Sequence, residues 1–371
     1  MEFLRMKLIC IAWINRNRYE NYFKDVNIFR FYRFIDSFLY LRTNFSMLLR
    51  YIFLFAIFVS NKVSYSQDIE TKISGIIKDN KIKTLTIFEY DYIDGKVESK
   101  GIKSKIDSFS INGQLVLETF YRNDGSILST VSYGYDTKGH KTSIIKYSVE
   151  NSKTKVVYFQ KTKFDSKGNK ILEYGFNGVD SFKNVYNYNK YGKLVEVNFF
   201  IKKRLDEKRV IDIAKDSSLA DMKILDGFGS LKYIQRYKYT TTGKIQEETK
   251  IENDNTVSQR ILYAYDKNDS LISETKFLRE KFFYKIIYNY DNKNRISEIY
   301  KELPDKTRYM TNRYVYNDNN QLVEEFSRDE KNEDFSRFTY TFDEKGIIKT
   351  VDCYFGKYKR QVLSVCMYLY Y

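Results

Sequence analysis

Side chains that commonly carry out catalysis are scarce in this sequence. Among 371 residues there is one histidine, His140, and there are three cysteines. One histidine is too few for a metal site with several histidine ligands, and it allows at most one histidine-based catalytic triad. His140 directly follows Gly139, and we interpret it as an exposed turn residue.

Other catalytic arrangements are also missing from the pattern. Acidic residues alternate with lysines, and no carboxylate pair, glycine-rich phosphate loop or metal-ligand spacing stands out. We therefore expect a protein that is not an enzyme and that uses no metal ion or cofactor.

Aromatic side chains are abundant, and they are the residues that could bind a ligand by stacking. The sequence has 35 tyrosines and 28 phenylalanines, many of them in pairs two residues apart. Such a pair lies on one face of a β-strand. The pairs could pack as a structural ladder, or they could stack on sugar rings, and both interpretations stay open. The pairs are Tyr133 and Tyr135, Tyr186 and Tyr188, Tyr237 and Tyr239, Tyr263 and Tyr265, Tyr288 and Tyr290, Tyr314 and Tyr316, and Tyr340 and Phe342.

A turn signal follows each aromatic pair, and the combination repeats about every 25 residues. Asp, Asn or Thr comes first, where its side chain can bond the backbone two residues on. Three residues later stands Gly, Asn or Asp, which best tolerate the positive φ of a hairpin connection. The turn residues are Asp136 and Gly139, Asp165 and Gly168, Asn189 and Gly192, Gly243 after Thr240, Asp266 and Asp269, Asp291 and Asn294, Asn317 and Asn320, and Asp343 and Gly346.

These repeats predict an all-β protein. Further turn signals, such as Asn123-Asp124-Gly125, lie about half a period away, so each period holds two strands. We predict a repetitive antiparallel β-hairpin meander of about 20 strands that forms a long twisted or spiral sheet. Proline removes a ladder donor, and the one proline, Pro304, falls in a turn. Residues 203–230 lack the alternation, and we expect an irregular insertion or a short helix there.

The Tyr-x-Tyr-Asp-x-x-Gly-x-Leu pattern resembles the YD repeats of RHS-type proteins over roughly residues 85–350. It looks especially similar to the short exported RHS-repeat proteins of Bacteroidetes type, and this resemblance implies a binding role, often described as sugar binding. In large members of the family such repeats wind into a spiral β-sheet shell around a toxin. This chain is too short to enclose a cargo domain, and with one proline it lacks the Asp-Pro-x-Gly motif that ends the shell.

The first 66 residues carry no repeat and are typical of a segment removed on export. Residues 47–66 predict a signal peptide, with a basic start, an apolar run and cleavage between Ser66 and Gln67. The run is shorter than the about 20 residues of a transmembrane helix, although a retained anchor is the alternative. Residues 1–46 either precede the true start, Met47, or form an amphipathic region at a membrane surface. We favour a start at Met47, which leaves residues 67–371 as the mature repeat domain.

Cys353 and Cys366 flank the predicted link between the last two strands. The centre of that link is near residue 359 or 360, so we expect the two cysteines to lie opposite each other. In an exported protein such a pair can form a disulfide, and two separate packed thiols are the alternative. The third cysteine, Cys10, lies in the segment that we expect to be removed.

Charge and export together limit the partners. The net charge is +15, and it falls to +9 over residues 67–371 because residues 1–66 hold ten basic and four acidic residues. Charges of both signs mix along every strand, and export argues against a nucleic-acid partner. We expect a binding or structural role in the periplasm, at the outer-membrane surface or outside the cell. The expected partner is a glycan or another envelope protein, with membrane contact only through the signal segment.

An outer-membrane β-barrel is the alternative hypothesis, together with a scaffold for protein–protein interaction. The aromatic end of the chain, over 367–371, favours such a barrel. A lipid-facing strand side should be free of charges. In the strand over 155–163, however, three lysines share the side of Val157 and Phe159, namely Lys155, Lys161 and Lys163.

Overall fold

The computed structural model describes residues 73–150, 153–214, 218–329, 335–356 and 360–371. The expected signal peptide and the segment before it lie outside the described residues. A short helix, α1 (73–79), comes first, and strands joined by turns follow it. Within the described ranges, no helix is long and apolar enough to cross a membrane.

The described chain contains 23 β-strands. Their bounds are β1 (Ile82–Ile93), β2 (Lys96–Val97), β3 (Ile102–Phe109), β4 (Leu115–Tyr121), β5 (Ile127–Tyr135), β6 (Lys141–Glu150), β7 (Lys153–Phe164), β8 (Lys170–Phe176), β9 (Ser181–Tyr188), β10 (Leu194–Ile201), β11 (Arg204–Ile213), β12 (Leu219–Asp226), β13 (Leu231–Tyr239), β14 (Ile245–Glu252), β15 (Val257–Tyr265), β16 (Leu271–Leu278), β17 (Lys281–Tyr290), β18 (Ile296–Glu302), β19 (Arg308–Tyr316), β20 (Leu322–Arg328), β21 (Phe335–Phe342), β22 (Ile348–Phe355) and β23 (Arg360–Tyr370).

The strands form one antiparallel sheet that closes on itself. From β4 to β23 each strand pairs with the next along the chain. β1 completes the ring, because it pairs with β3 on one edge and with β23 on the other. β2 is a two-residue extra strand on the end of β1. The fold is therefore a closed all-β barrel of 22 strands with one extra strand.

The predicted all-β antiparallel meander is confirmed, but the long twisted or spiral sheet is wrong. An open sheet leaves backbone N–H and C=O groups unpaired along both edges. Pairing of β1 with β23 removes both edges at once. This contact joins residues more than 260 positions apart, for example Asp91 of β1, whose carboxylate accepts a hydrogen bond at 2.9 Å from the guanidinium of Arg360, the first residue of β23. A local repeat carries no information about such a distant pairing.

The turns after the aromatic pairs share one geometry. At the first well-defined copy, the Gly139 N–H donates to the Asp136 carbonyl at 3.0 Å, and φ of Gly139 is 85°. The Asp136 carboxylate accepts the backbone N–H groups of Lys138 and His140 at 2.9 and 2.8 Å. The residue at the Gly139 position has positive φ in every other described copy as well, including Gly168, Gly192, Gly243, Asp269, Asn294, Asn320 and Gly346.

The described residues of this range, 203–214 and 218–230, form two regular strands and parts of their turns in place of the expected irregular insertion or short helix. They supply β11 and β12, which pair along seven residue pairs, from Glu207 opposite Asp226 to Ile213 opposite Ala220. The alternation is present but uses different side chains. In β12 the buried positions are Ala220, Met222 and Ile224. Since no aromatic pair marks this copy, the aromatic repeat could not reveal it.

The described contacts divide the chain into two units. The larger comprises residues 84–108 and 115–368 and holds most of the strand ring. The smaller contains α1, residues 109–114 and the end of the chain. Within this smaller unit, the Tyr371 N–H donates to the Lys81 carbonyl at 2.8 Å, and the Tyr371 hydroxyl donates to the Phe109 carbonyl.

The sheet has two faces of different character. The tyrosine face carries the aromatic pairs and is the more buried. In β9, Asn184 and Tyr186 on this face are buried, whereas Lys183 and Asn187 on the opposite face are exposed. We call that opposite face the charged face. The fully buried apolar side chains, such as Val197 opposite Tyr186, lie on the tyrosine face.

Two glycines with almost the same backbone allow a clean test of the packing of α1. Gly113 and Gly192 have φ of 77° and 76°. A Cβ on Gly113 would lie 1.9 Å from the Ser74 carbonyl oxygen, whereas nothing lies within 4 Å of a Cβ on Gly192. Both alanine variants carry the cost of positive φ, so their difference isolates the clash.

We expect Gly113→Ala to lower the free energy of unfolding by about 1–3 kcal/mol more than Gly192→Ala, measured by urea denaturation. Equal losses in the two variants would show that α1 does not pack on the turn that contains Gly113.

Candidate functional site

The tyrosine face gathers all of the predicted aromatic pairs. They lie in β5, β9, β13, β15, β17, β19 and β21, and the second member of each pair is the last residue of its strand. The pairs thus meet one rim of the barrel, next to the turns that follow them. This face is the candidate site because it concentrates the side chains that could stack on a ligand.

The second tyrosine of a pair is bonded to the backbone of the preceding repeat. Tyr265, for example, donates its hydroxyl to the Ile245 carbonyl at 2.7 Å. Ile245 is the first residue of its strand, and each of the acceptors named below also begins its strand. In five pairs the bonds measure 2.7 to 3.0 Å and join Tyr135 to Leu115, Tyr188 to Lys170, Tyr265 to Ile245, Tyr290 to Leu271 and Tyr316 to Ile296. Tyr368, which belongs to none of the pairs, makes the same bond to Ile348 at 2.7 Å.

The first tyrosine of a pair is bonded to a glutamate on the neighbouring strand. Tyr263 donates to Glu248 at 2.8 Å, and Tyr288 donates to Glu274 at 2.8 Å. Tyr133 donates in the same way to Glu118, and Tyr186 to Glu173 at 3.4 Å. Burial, together with the carboxylate charge, raises the pKa of these four tyrosines well above its usual range. The hydroxyls therefore stay protonated and act as donors.

Glu173 is the best-enclosed of these carboxylates, with 1% of its surface exposed. Its oxygens accept hydrogen bonds from the Gln160 and Asn184 amides at 2.8 and 2.9 Å. The Lys170 ammonium lies 3.2 Å away and supplies the opposite charge. A buried carboxylate is tolerated when it is paired and hydrogen-bonded in this manner.

A second buried network surrounds Lys105, which is 1% exposed. Its ammonium lies 2.9 Å from the Asp107 carboxylate and 2.5 Å from the Glu118 carboxylate. Burial raises the pKa of Asp107 to about 6 from an ordinary value of 3.8, although the Lys105 charge opposes this shift. Burial lowers the pKa of Lys105, but the two carboxylates outweigh it and the net shift is upward.

Cations stack on the tyrosine rings as well. The Lys244 ammonium lies 5.2 Å from the centroid of the Tyr265 ring, and the Arg295 guanidinium lies 4.3 Å from that of Tyr316.

Four tyrosines of the pairs are also buried, with at most 9% of their surface exposed: Tyr186, Tyr237, Tyr314 and Tyr340. These rings and hydroxyls are occupied by contacts within the protein, which favours the structural interpretation of the pairs over the ligand platform.

The charged face carries ion pairs between neighbouring strands. Lys208 lies 2.7 Å from Glu196, and Arg236 lies 2.7 Å from Asp221. Further pairs join Lys223 to Asp212, Lys238 to Glu247 and Arg313 to Glu324. Most of these side chains are partly exposed, so each pair contributes at most about 1 kcal/mol. Because these ion pairs are partly exposed, the charged face is suited to contact with water.

His140 is partly buried at the edge of the sheet rather than freely exposed. Its imidazole stacks on Phe164 with a centroid distance of 4.7 Å, and Nδ1 lies 2.9 Å from the Asp136 carboxylate. It links the turn at 136–140 to the turn at 165–168, where a Cβ on Gly168 would lie 3.3 Å from Nε2 of the ring. These contacts give His140 a packing role.

Cys353 and Cys366 do not face each other. Cys353 lies opposite Val362 in the register of β22 and β23, because Phe355 is already paired with Arg360. Cys366 is therefore four residues out of register with Cys353. Both carry thiols in the structure, and both are buried. The expected disulfide is not present in the structure.

The glutamate partners are the site residues that the sequence analysis missed. Glu118, Glu173, Glu248 and Glu274 precede their tyrosines by 13 to 15 residues. That spacing is a recurrent signal, but the surrounding mixture of acidic and basic residues conceals it. Within the described residues, no group of three or more His, Cys, Asp and Glu side chains could hold a metal ion.

Comparisons with known proteins add little to this description. No protein-family model matches the chain, and no curated protein matches it. Among solved structures, that of TcdB2-TccC3-Cdc42 is 11% identical, with 73% of this chain covered and a TM-score of 0.34. The chain spans only 18% of the length of that protein.

A porin-like protein from Bacteroides uniformis is 10% identical, with 78% of this chain and 97% of that chain covered and a TM-score of 0.30. A second porin-like protein, from Bacteroides vulgatus, is 9% identical, with 78% and 98% covered and a TM-score of 0.20. TM-scores this low carry no argument about function. The closed barrel is shown by the strand pairing of this chain itself.

Asp107 provides a pH test of the buried network. Because its carboxyl binds a proton more tightly in the folded than in the unfolded chain, its contribution to stability falls as pH rises from about 4 to about 6. We expect the difference in free energy of unfolding between wild type and Asp107→Asn to shrink over this range, by about 3 kcal/mol at 1.4 kcal/mol per pKa unit.

Glu196 is the matched control with the opposite sign, because hydrogen bonds from Lys208 and Asn198 lower its pKa. The difference between wild type and Glu196→Gln should grow as pH rises through the acidic range. Urea denaturation at pH 4, 5, 6 and 7 measures both. A difference for Asp107→Asn that also grew with pH would show that the Lys105 charge outweighs burial.

Proposed function

We propose that the protein is an exported, non-enzymatic β-barrel of the cell envelope that acts as a binding or structural scaffold at the outer membrane. The closed 22-strand ring supports this proposal, because closure fits the barrel alternative better than it fits a long open binding sheet. The YD-repeat resemblance and the signal-peptide pattern support export, and they remain part of the proposal.

The distribution of charge refines the proposal. A strand face at the centre of a bilayer excludes charges, since Arg or Lys there costs about 2–4 kcal/mol. The charged face bears ion pairs such as Lys208–Glu196, and the tyrosine face bears Lys105 and Glu173. Whichever face points outwards, it carries charged side chains. We therefore propose that most of the wall meets water and that the barrel lies at the membrane rather than through its hydrocarbon core.

A membrane-spanning barrel is the second candidate, and one specific observation favours it. The charged face of β23 is apolar near the chain end, where Met367 and Leu369 are 57% and 56% exposed. Exposed apolar side chains on a strand are a feature of lipid-facing walls. The observation concerns one strand of 22, so we place it second.

The binding role is proposed for a carbohydrate or another envelope protein. The aromatic residues of the tyrosine face and the mixed charges of the other face are compatible with either partner. No nucleic-acid partner is proposed, because both signs of charge alternate along the strands.

Cell fractionation tests the proposal. The full chain, expressed with its own amino-terminal segment in a Gram-negative host, should sediment with membranes and be released by carbonate or high salt without detergent. Electrostatic and shallow apolar contacts are broken by such washes, whereas a spanning barrel is not released.

Deletion of residues 47–66 is the matched control, and it should retain the protein in the cytoplasm. If the protein is released only by detergent, the result would favour the membrane-spanning barrel over the proposed location at the membrane surface. Cytoplasmic location of the undeleted chain would contradict export altogether.

A further inference from the structure

Three neighbouring hairpin tips form a patch at one rim of the barrel. They are the β8–β9 tip (177–180), the β10–β11 tip (202–203) and the β12–β13 tip (227–230), and we call them the tip patch. The Lys202 N–H donates to the Ser181 carbonyl at 3.0 Å, which joins the first two tips. The Arg204 guanidinium lies 5.0 Å from the centroid of the Phe228 ring, which joins the second tip to the third.

The tip patch exposes two large apolar side chains. Phe228 is 83% exposed and Val179 is 77% exposed, the two highest values among large apolar residues of the described chain. Each lies in a turn between strands and is mostly exposed, so neither contributes to the core. Phe228 lies between Gly227 and Gly229, and nothing lies within 4 Å of a Cβ placed on Gly229.

Cations surround these apolar tips. Lys202 and Lys203 form the whole two-residue turn, with φ of 50° and 68°. Asn-Gly or Asp-Gly suits such a turn best, and lysine is a poor choice on conformational grounds. The turn between β16 and β17 also has positive φ at two charged residues, Arg279 and Glu280, but there the charges are of opposite sign. The β10–β11 tip instead places two cations side by side.

The acidic neighbours of the patch are already engaged. The Asp180 carboxylate pairs with Lys202 at 2.8 Å. The Asp226 carboxylate accepts the backbone N–H groups of Phe228 and Ser230, each at 2.9 Å. The three cations Lys202, Lys203 and Arg204 outnumber these two carboxylates by one, and neither carboxylate is paired with Lys203 or Arg204 in these contacts.

We propose that the tip patch docks the barrel on an anionic lipid surface. Isolated convex tips suit a deformable headgroup layer, which admits an aromatic ring and an aliphatic side chain without a preformed pocket. Adjacent Lys and Arg side chains then lie at the level of the lipid phosphates. The proposal deepens the envelope role and rests on it for the place where such a surface is met.

Vesicle flotation with the purified full chain tests the docking directly. The protein should float with vesicles of phosphatidylcholine containing 30% phosphatidylglycerol, and should bind pure phosphatidylcholine at least tenfold more weakly. The double variant Phe228→Ser/Val179→Ser should lose at least tenfold in affinity for the anionic vesicles, because it removes the two inserting side chains. Lys202→Asn/Lys203→Gly should lose about tenfold on the same vesicles and nothing on neutral ones.

The charge variant restores the favoured turn residues, so misfolding does not explain its loss of binding. Tyr191→Ser is the matched control, since Tyr191 is 75% exposed at a tip on the opposite rim. It should bind like wild type. Absence of binding to anionic vesicles, or equal losses for Tyr191→Ser and the Phe228 variant, would overturn the proposal. Vesicle binding does not depend on export, so its failure is distinguishable from failure of the fractionation result.

Discussion

Buried tyrosine hydroxyls are the constraint on which the rest of the structure depends. A hydroxyl removed from water costs free energy unless it finds an acceptor. Here the two tyrosines of a pair use two different acceptors, as Tyr263 does with Glu248 and Tyr265 with the Ile245 carbonyl. Both bonds run from one strand to an earlier one, so each pair ties its hairpin to the preceding hairpin. Each sequence repeat therefore also carries the hydrogen bonds that hold one hairpin to the preceding one.

Closure of the ring determines what kind of protein this attachment can build. Tyrosine pairs and hairpin turns specify only contacts between neighbours along the chain. Pairing of β1 with β23 turns the row of hairpins into a barrel and satisfies the two edges. The resulting wall has charged groups on both faces, with ion pairs such as Arg236–Asp221 on one and the Lys105 network on the other. Such a wall is better suited to water than to lipid, and this supports the proposal that the barrel lies at the membrane rather than through it.

The features that could be predicted from the sequence are the local ones. Asp136 and Gly139 specify a turn within five residues, and Tyr133 and Tyr135 share a face because strands alternate. Closure could not be predicted, because it depends on the accumulated twist of 22 strands rather than on any one repeat. β11 and β12 were missed because their buried positions hold Met222 and Ile224 instead of tyrosines. The register of Cys353 was missed because Phe355 and Arg360, which we expected in the link, already pair as members of β22 and β23.

A double-mutant cycle on Tyr263 and Glu248 measures the central interaction most directly. If the buried hydroxyl and carboxylate are partners, the effects of Tyr263→Phe and Glu248→Gln on the free energy of unfolding should be coupled by about 1 kcal/mol or more. Tyr263→Phe combined with Glu247→Gln is the control, because Glu247 lies on the charged face and pairs with Lys238 at 3.1 Å. That second cycle should be additive. Additive effects in the Tyr263–Glu248 cycle would contradict the account, because the tyrosine repeat would then not hold the hairpins together through its hydroxyls.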